Sequence, residues 1–146
     1  MIDHFTISVA DISGAKAFYA KALAPLGYGV TMDFGQMCGF GEPHKPYFWI
    51  KQATPTTAPQ HIAFVARSRA AVDAFHAAAL EAGARDYGKP GLRLDYHPNY
   101  YGAFVVDPLN GHPLEAVCHA PIGARAGKKP AKRAAKTKPA RKKSRR

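Results

Sequence analysis

The chain has 146 residues and carries 21 Lys and Arg against 10 Asp and Glu, a formal net charge of +11. That excess is confined to one end: residues 1–118 hold nine basic and ten acidic side chains, residues 119–146 hold twelve basic and none acidic, so the body is near neutral and its charge does not mark it as a nucleic-acid binder. Hydrophobic residues make up 47% of the chain, enough for one folded domain with a real core, and neither an apolar run of about 18 residues nor a secretory signal pattern is present, so a soluble, cytoplasmic protein is expected.

In chain order, His4 to Val9 alternates as a strand, with His4, Thr6 and Ser8 on one face and Phe5, Ile7 and Val9 on the other. Asp11 or Ser13 can cap the helix that follows, whose apolar positions Ala15, Phe18, Ala22 and Leu23 fall at helical spacing, and Gly27 stands just past its end. Short strands are expected at Tyr28 to Met32, Met37 to Gly41 and Tyr47 to Lys51. Residues 53–60 (ATPTTAPQ) read as an extended linker. His61 to Ala66 then repeats the opening strand, Ser68 can cap a second helix ending before Gly83, and strands are expected at Ala84 to Tyr87, Tyr101 to Asp107 and Leu114 to Cys118. Between the first two of these, Gly88 to Tyr100 reads as a long loop, a length that usually serves a site.

A shift of 57 residues places His4 on His61, Ala17 and Phe18 on Ala74 and Phe75, and Leu23 on Leu80, so the chain reads as two copies of one unit. The expected fold is α+β: two tandem βαβββ modules, 1–52 and 61–119, forming a cupped, mixed eight-stranded sheet. After residue 119 the composition reduces to small residues, Pro, Ile122 and cations, which cannot bury enough apolar surface to offset chain entropy, so residues 120–146 are expected to be a disordered basic tail. Such a tail gives weak, non-specific, salt-dependent affinity for nucleic acid.

Glu115 carries the strongest chemical signal. It lies within the apolar run Leu114, Ala116, Val117 and Cys118, where a charge is costly unless paired or metal-bound. If the two opening strands lie side by side, His4 and His61 face one pocket that Glu115 can reach. Two imidazoles and a carboxylate leave open positions on Fe, Mn, Ni or Zn. His97, Tyr100 and Tyr101 are candidate acid–base groups. Tyr96, Asn99 and Trp49 are candidate pocket residues, whereas Phe48 belongs to the core. His76 and His112 are expected at the surface, and Cys38 and Cys118 are expected as reduced core thiols, since no CxxC pair occurs.

The openings DHFTISVADISGAKAFY and QHIAFVA, the helix SRAAVDAFHAAALEAG and the closing GAFVVDPLNGHPLEAV resemble the vicinal oxygen chelate superfamily. That group includes glyoxalase I, fosfomycin-resistance enzymes, extradiol dioxygenases and bleomycin-resistance proteins. The resemblance implies paired βαβββ units around one divalent metal, with His4, His61 and Glu115 at the positions of the common ligands. It implies a small-molecule substrate chelated through vicinal oxygens, lyase, isomerase or dioxygenase chemistry, and a homodimer. The fourth ligand of glyoxalase I has no counterpart, because Tyr47 to Lys51 contains no carboxylate, so true glyoxalase I activity is not expected. The alternative is a metal-free, bleomycin-resistance-like protein holding an aromatic or cationic ligand among Trp49, Tyr100 and Tyr101. The turn from Asp107 to Glu115 is one residue longer than the usual spacing, which a bulge can absorb.

Overall fold

The computed structural model describes residues 2–122; from residue 123 onward the basic tail, and with it the nucleic-acid reading, lies outside the described residues. The first module comprises β1 (Phe5–Val9), α1 (Ile12–Leu23), a 3-10 turn (Ala24–Leu26), β2 (Gly29–Asp33), β3 (Met37–Glu42) and β4 (Lys45–Gln52). The second comprises β5 (Ile62–Val65), α2 (Arg69–Glu81), β6 (Arg85–Leu92), β7 (Tyr101–Val106) and β8 (Pro113–Cys118). The doubled βαβββ order is therefore as expected. Asp11 caps α1 by accepting the Gly14 N–H at 3.0 Å, and Ser68 caps α2 by accepting the Ala71 N–H at 3.2 Å. Gly27 (φ 84°) and Gly83 (φ 99°) take the left-handed conformation that ends each helical segment.

The eight strands divide between two mixed four-stranded sheets, ordered β1-β4-β3-β2 and β5-β8-β7-β6, rather than hydrogen-bonding into one. In each, the opening strand pairs in parallel with the last, Phe5 opposite Phe48 and Ala63 opposite Glu115. One face of each sheet packs on the helices: Ile7, Val9, Phe40 and Ile50 from the first sheet join Phe64, Val105, Leu114 and Ala116 from the second, together with Phe18, Leu23, Val72 and Phe75 from the helices, in one continuous core. Because both helix-side faces are used up in this shared core, the opposite faces of both sheets are left outward. Tyr19 crosses between modules, its hydroxyl donating to Asp107 at 3.3 Å.

The opening strands β1 and β5 are sheet edges, not paired neighbours. Between their starts lies a cleft of about 600 Å3 lined by His4, Phe5, Tyr47, Phe48, His61 and Phe64, among others. The linker is tied down rather than loose: the Thr57 N–H donates to Ser8 O at 3.0 Å, the Ser8 N–H donates to Thr57 Oγ1 at 2.7 Å, and the Gln60 N–H donates to His112 Nδ1 at 2.9 Å.

The segment expected as a loop from Gly88 is strand as far as Leu92. The stretch contains Pro90, but β6 is an edge strand, where proline is tolerated and bulges form, and the β6–β7 register shifts around Gly88 and Gly91. The loop shrinks to residues 93–100.

Two histidines expected at the surface are buried. His76 is 8% exposed and bonds Asp86 at 3.0 Å, while His112 is fully buried in the turn before β8. The Nδ1 of His112 accepts the Gln60 N–H, so its proton sits on Nε2, which has no partner among the described residues. Burial, opposed by Asp107 and the Gln60 bond, lowers its pKa below 6.5. The unfolded chain then binds the proton more readily, so this contribution to stability is complete above pH 6.5 and is lost as pH falls from there toward the lowered folded value. Urea unfolding at about pH 7.5 and about pH 5.5 is expected to show a steeper loss of stability in the wild type than in His112→Gln; equal slopes would remove His112 from the account. Cys38 and Cys118 are both free and buried, as expected.

Candidate functional site

Alternation along β8 puts Leu114, Ala116 and Cys118 into the core and turns Glu115 to the outer face, opposite Ala63 on β5 and Phe104 on β7. The long closing turn does not disturb this register. Its extra length is taken up before β8, where Asp107 accepts the N–H groups of Leu109, Asn110 and His112 and Gly111 turns at φ 75°. No bulge interrupts the pairing of β7 with β8.

The Glu115 side chain is 3% exposed, and both carboxylate oxygens are used. The ring Nε2 of His61 donates to Oε2 at 2.9 Å, and the Tyr100 hydroxyl donates to Oε1. Two donors to one buried carboxylate offset the cost of its desolvation. The His61 ring is half open to solvent and meets Phe104 edge-on at 6.2 Å. Burial, and then the bond to Glu115, push the Tyr100 phenol above its ordinary pKa, so Tyr100 remains a proton donor throughout the neutral range. A Cβ on Gly102 would stand 3.2 Å from both Glu115 Oε1 and Tyr100 Cε1, so glycine keeps the floor of this site clear.

The remaining sequence candidates fall into separate groups. Tyr96 packs edge-on against Tyr100, with ring centroids 4.9 Å apart. His97 lies beside Tyr100, and its Nε2 is 2.7 Å from Nδ1 of His119. Because Nδ1 of His97 accepts the Asn99 N–H at 3.1 Å, the neutral ring carries its proton on Nε2 and donates it to His119. Asn99 thus serves His97 through its backbone. Tyr101 is on the wrong face for the site: alternation sends it to the helix side of β7, where its hydroxyl donates to Asp73 at 2.7 Å and its ring lies under the Arg69 guanidinium. Trp49 is on the outer face of the other sheet, lying across Gly39 and stacked on Phe34 at 6.4 Å.

His4 is not part of the Glu115 cluster. It precedes β1, is half exposed, and its Nδ1 lies 3.0 Å from Asp3, which also pairs with Lys45. Among the described residues no group of three or more His, Cys, Asp or Glu side chains converges. His61 and Glu115 are two adjacent donors of the kind a divalent metal takes, with a proton between them where a cation would bind. Within one chain they fall short of the three-ligand set that the resemblance implies.

Phe104 and Arg93 also belong to this face and escaped the sequence reading. Phe104 was placed in a strand but on neither face. Arg93 lies in the stretch expected as loop, although a cation among the aromatics of 87–104 was the available signal. No helix among the described residues is long and apolar enough to cross a membrane.

No protein-family model and no curated protein matches the chain. Solved structures do. A glyoxalase/bleomycin resistance protein from Albidiferax ferrireducens T118 is 28% identical, with 80% of this chain and 96% of that chain covered at a TM-score of 0.68. A glyoxalase candidate from Bacillus halodurans is 29% identical, covering 81% and 95% at a TM-score of 0.60. A glyoxalase/bleomycin resistance protein/dioxygenase family enzyme from Burkholderia phytofirmans PsJN shares the fold at 16% identity and a TM-score of 0.62, with 82% and 98% covered.

Proposed function

We propose, for a chain related to the glyoxalase/bleomycin resistance/dioxygenase proteins, that it is a divalent-metal-dependent enzyme acting on a small substrate at the outer face of its second sheet. The observation that carries this reading is the buried Glu115 carboxylate held between His61 and Tyr100, with Gly102 beside it, on the outer face of the sheet. The missing third ligand is His4 of a second copy of the chain. Each chain turns one outer face bearing Trp49 and another bearing Glu115 to solvent. Large apolar side chains remain exposed on or beside both, with Phe34 69% and Val65 61% accessible, as surfaces awaiting a partner are.

A bound divalent metal supplies a Lewis acid for vicinal oxygens. The chain's own residues do the rest. His61 and Glu115 hold the metal, Tyr100 fixes the rotamer of Glu115 by donating to Oε1, and Gly102 leaves room for substrate above them.

Metal analysis tests both the site and its two-chain origin. Purified wild type is expected to hold about one divalent ion per chain, and His4→Ala and His61→Ala are expected to hold almost none. Mixed dimers of the two variants should regain one intact site in two, because the His4 of one chain meets the His61 and Glu115 of the other. Full occupancy in His61→Ala would sink the metal assignment, and no recovery on mixing would place His4 with the His61 of its own chain.

One observation favours a metal-free binding protein instead: both Glu115 oxygens are already satisfied by His61 and Tyr100. Wild-type protein that purifies without metal, and takes none up on addition, would decide for that reading.

A further inference from the structure

A single row of residues crosses the outer face of the second sheet: Ala63 on β5, Glu115 on β8, Phe104 on β7 and Gly88 on β6 are paired in that order. Phe104 is the one ring in this row. On one side of it stands His61, at 6.2 Å between centroids. On the other stands Arg93, whose guanidinium carbon is 5.2 Å from the same centroid. The guanidinium and the imidazole are therefore no farther apart than those two distances together, with the ring between them.

Arg93 is held in place from several directions. Its backbone N–H donates to Tyr100 O at 2.8 Å, and its carbonyl accepts the Tyr96 N–H at 3.0 Å, so it anchors both ends of the loop that carries Tyr100. Nη2 donates to Lys89 O at 2.8 Å. The glycines of β6 make the space it occupies: a Cβ on Gly88 would stand 2.9 Å from the Phe104 ring and 3.3 Å from Arg93 Nη2, and one on Gly91 would stand 3.7 Å from Nη1. Among the described residues no carboxylate forms an ion pair with Arg93. A half-buried cation, fixed by backbone and ring but left without a counter-charge, faces the same platform as Glu115.

We propose that Arg93 is the anion-recognition group of this site, and that its ligand is a small, flat organic carboxylate lying over Phe104, its carboxylate on the Arg93 fork and its far end at His61, Glu115 and Tyr100. The chemistry of the face selects this class. A guanidinium presents paired N–H donors that match a carboxylate. The ring and the glycine floor suit a planar body. The buried Glu115 repels an anion placed beside it, so the carboxylate is directed to the far side of Phe104. The inference rests on the second-sheet face being the substrate site, but it does not require a metal to be bound there.

The test uses benzoate as the flat carboxylate and benzamide as its neutral counterpart, with binding to the full-length chain followed by calorimetry and by ligand-observed NMR. The wild type is expected to bind benzoate more tightly than benzamide. Arg93→Gln, which removes the charge and keeps much of the stem, is expected to weaken benzoate roughly tenfold or more and to leave benzamide nearly unchanged. Arg93→Lys, which keeps the charge and loses the fork, should fall between them and serves if the glutamine variant folds poorly. Equal benzoate affinity in the wild type and both variants, or no preference for benzoate over benzamide in the wild type, would overturn the proposal. Loss of metal in His61→Ala and loss of benzoate preference in Arg93→Gln are separate readouts, so a protein that purifies without metal can still pass or fail this test.

Discussion

Phe48→Ala is expected to destabilise the fold by about 3–5 kcal/mol, the range for emptying a buried aromatic site. Phe48 is 3% exposed, and its ring meets Tyr19 of α1 at 4.9 Å, Phe40 of β3 at 6.1 Å and Phe64 of β5 at 5.5 Å. Those partners come from both modules, so the cavity opens in the core they share and neither module can close it alone. Urea unfolding followed by far-ultraviolet circular dichroism and by the fluorescence of Trp49 measures the effect. Trp49 reports on the first module, circular dichroism on both. The two signals are expected to move together in the wild type and in the variant, with the midpoint lower in the variant. Separated transitions would show that the modules unfold independently and that the shared core does not couple them.

The second large effect concerns Glu115. On the metal-dependent reading, Glu115→Gln removes the only charged donor at the site, whereas Tyr100→Phe removes a group that touches Glu115 alone. Losing an outer partner of a ligand costs about 10–100-fold in metal affinity. Tyr100→Phe is expected within that range and Glu115→Gln well beyond it, measured by competition with a chromophoric chelator. A Tyr100→Phe loss as large as that of Glu115→Gln would mean that Tyr100 is itself a ligand. Unchanged affinity in Glu115→Gln would place the metal elsewhere in the chain. The two substitutions also differ in their effect on the fold. The glutamine oxygen can still accept from Tyr100, so Glu115→Gln should leave thermal stability close to wild type. Tyr100→Phe leaves Oε1 of a buried carboxylate with one donor fewer, a cost of roughly 1–3 kcal/mol.

The sequence made the doubled unit legible because each module writes its own period twice. Alternation in His4 to Val9 and in His61 to Ala66, helix caps at Asp11 and Ser68, and glycines at 27 and 83 are local signals, and local structure follows them. Glu115 was legible for a related reason: a charge in an apolar strand must have partners, and His61 was a named one. What remained hidden was set by contacts between distant segments. Whether β1 and β5 lie beside each other depends on which sheet faces the shared core claims, and no period in the chain encodes that choice. The burial of His112 depends on the Gln60 N–H, 52 residues away in sequence. Tyr101 was misplaced because it adjoins Tyr100 in sequence. In a strand, neighbours point to opposite faces, and the one-residue step that sends Tyr100 toward Glu115 sends Tyr101 to Asp73. Gly88 and Gly91 fall in the stretch expected as loop, and in the structure they are clearances, one under Phe104 and both beside Arg93.

The pinned connector between the modules carries a consequence for how the molecule comes together. Had the two units been separate polypeptides, their common interior would form only at concentrations high enough for them to meet. Residues 53–60 replace that meeting with a tether of a few residues, which sets an effective concentration in the millimolar range and makes the join independent of dilution. Tying Thr57 to Ser8 and Gln60 to His112 shortens the tether further by fastening its ends to both halves. Among the described residues the outward faces have no such tether. A second copy seated on them, as the metal-dependent reading requires, would arrive by diffusion, so the interior of this protein is insensitive to its abundance while that pairing would respond to it.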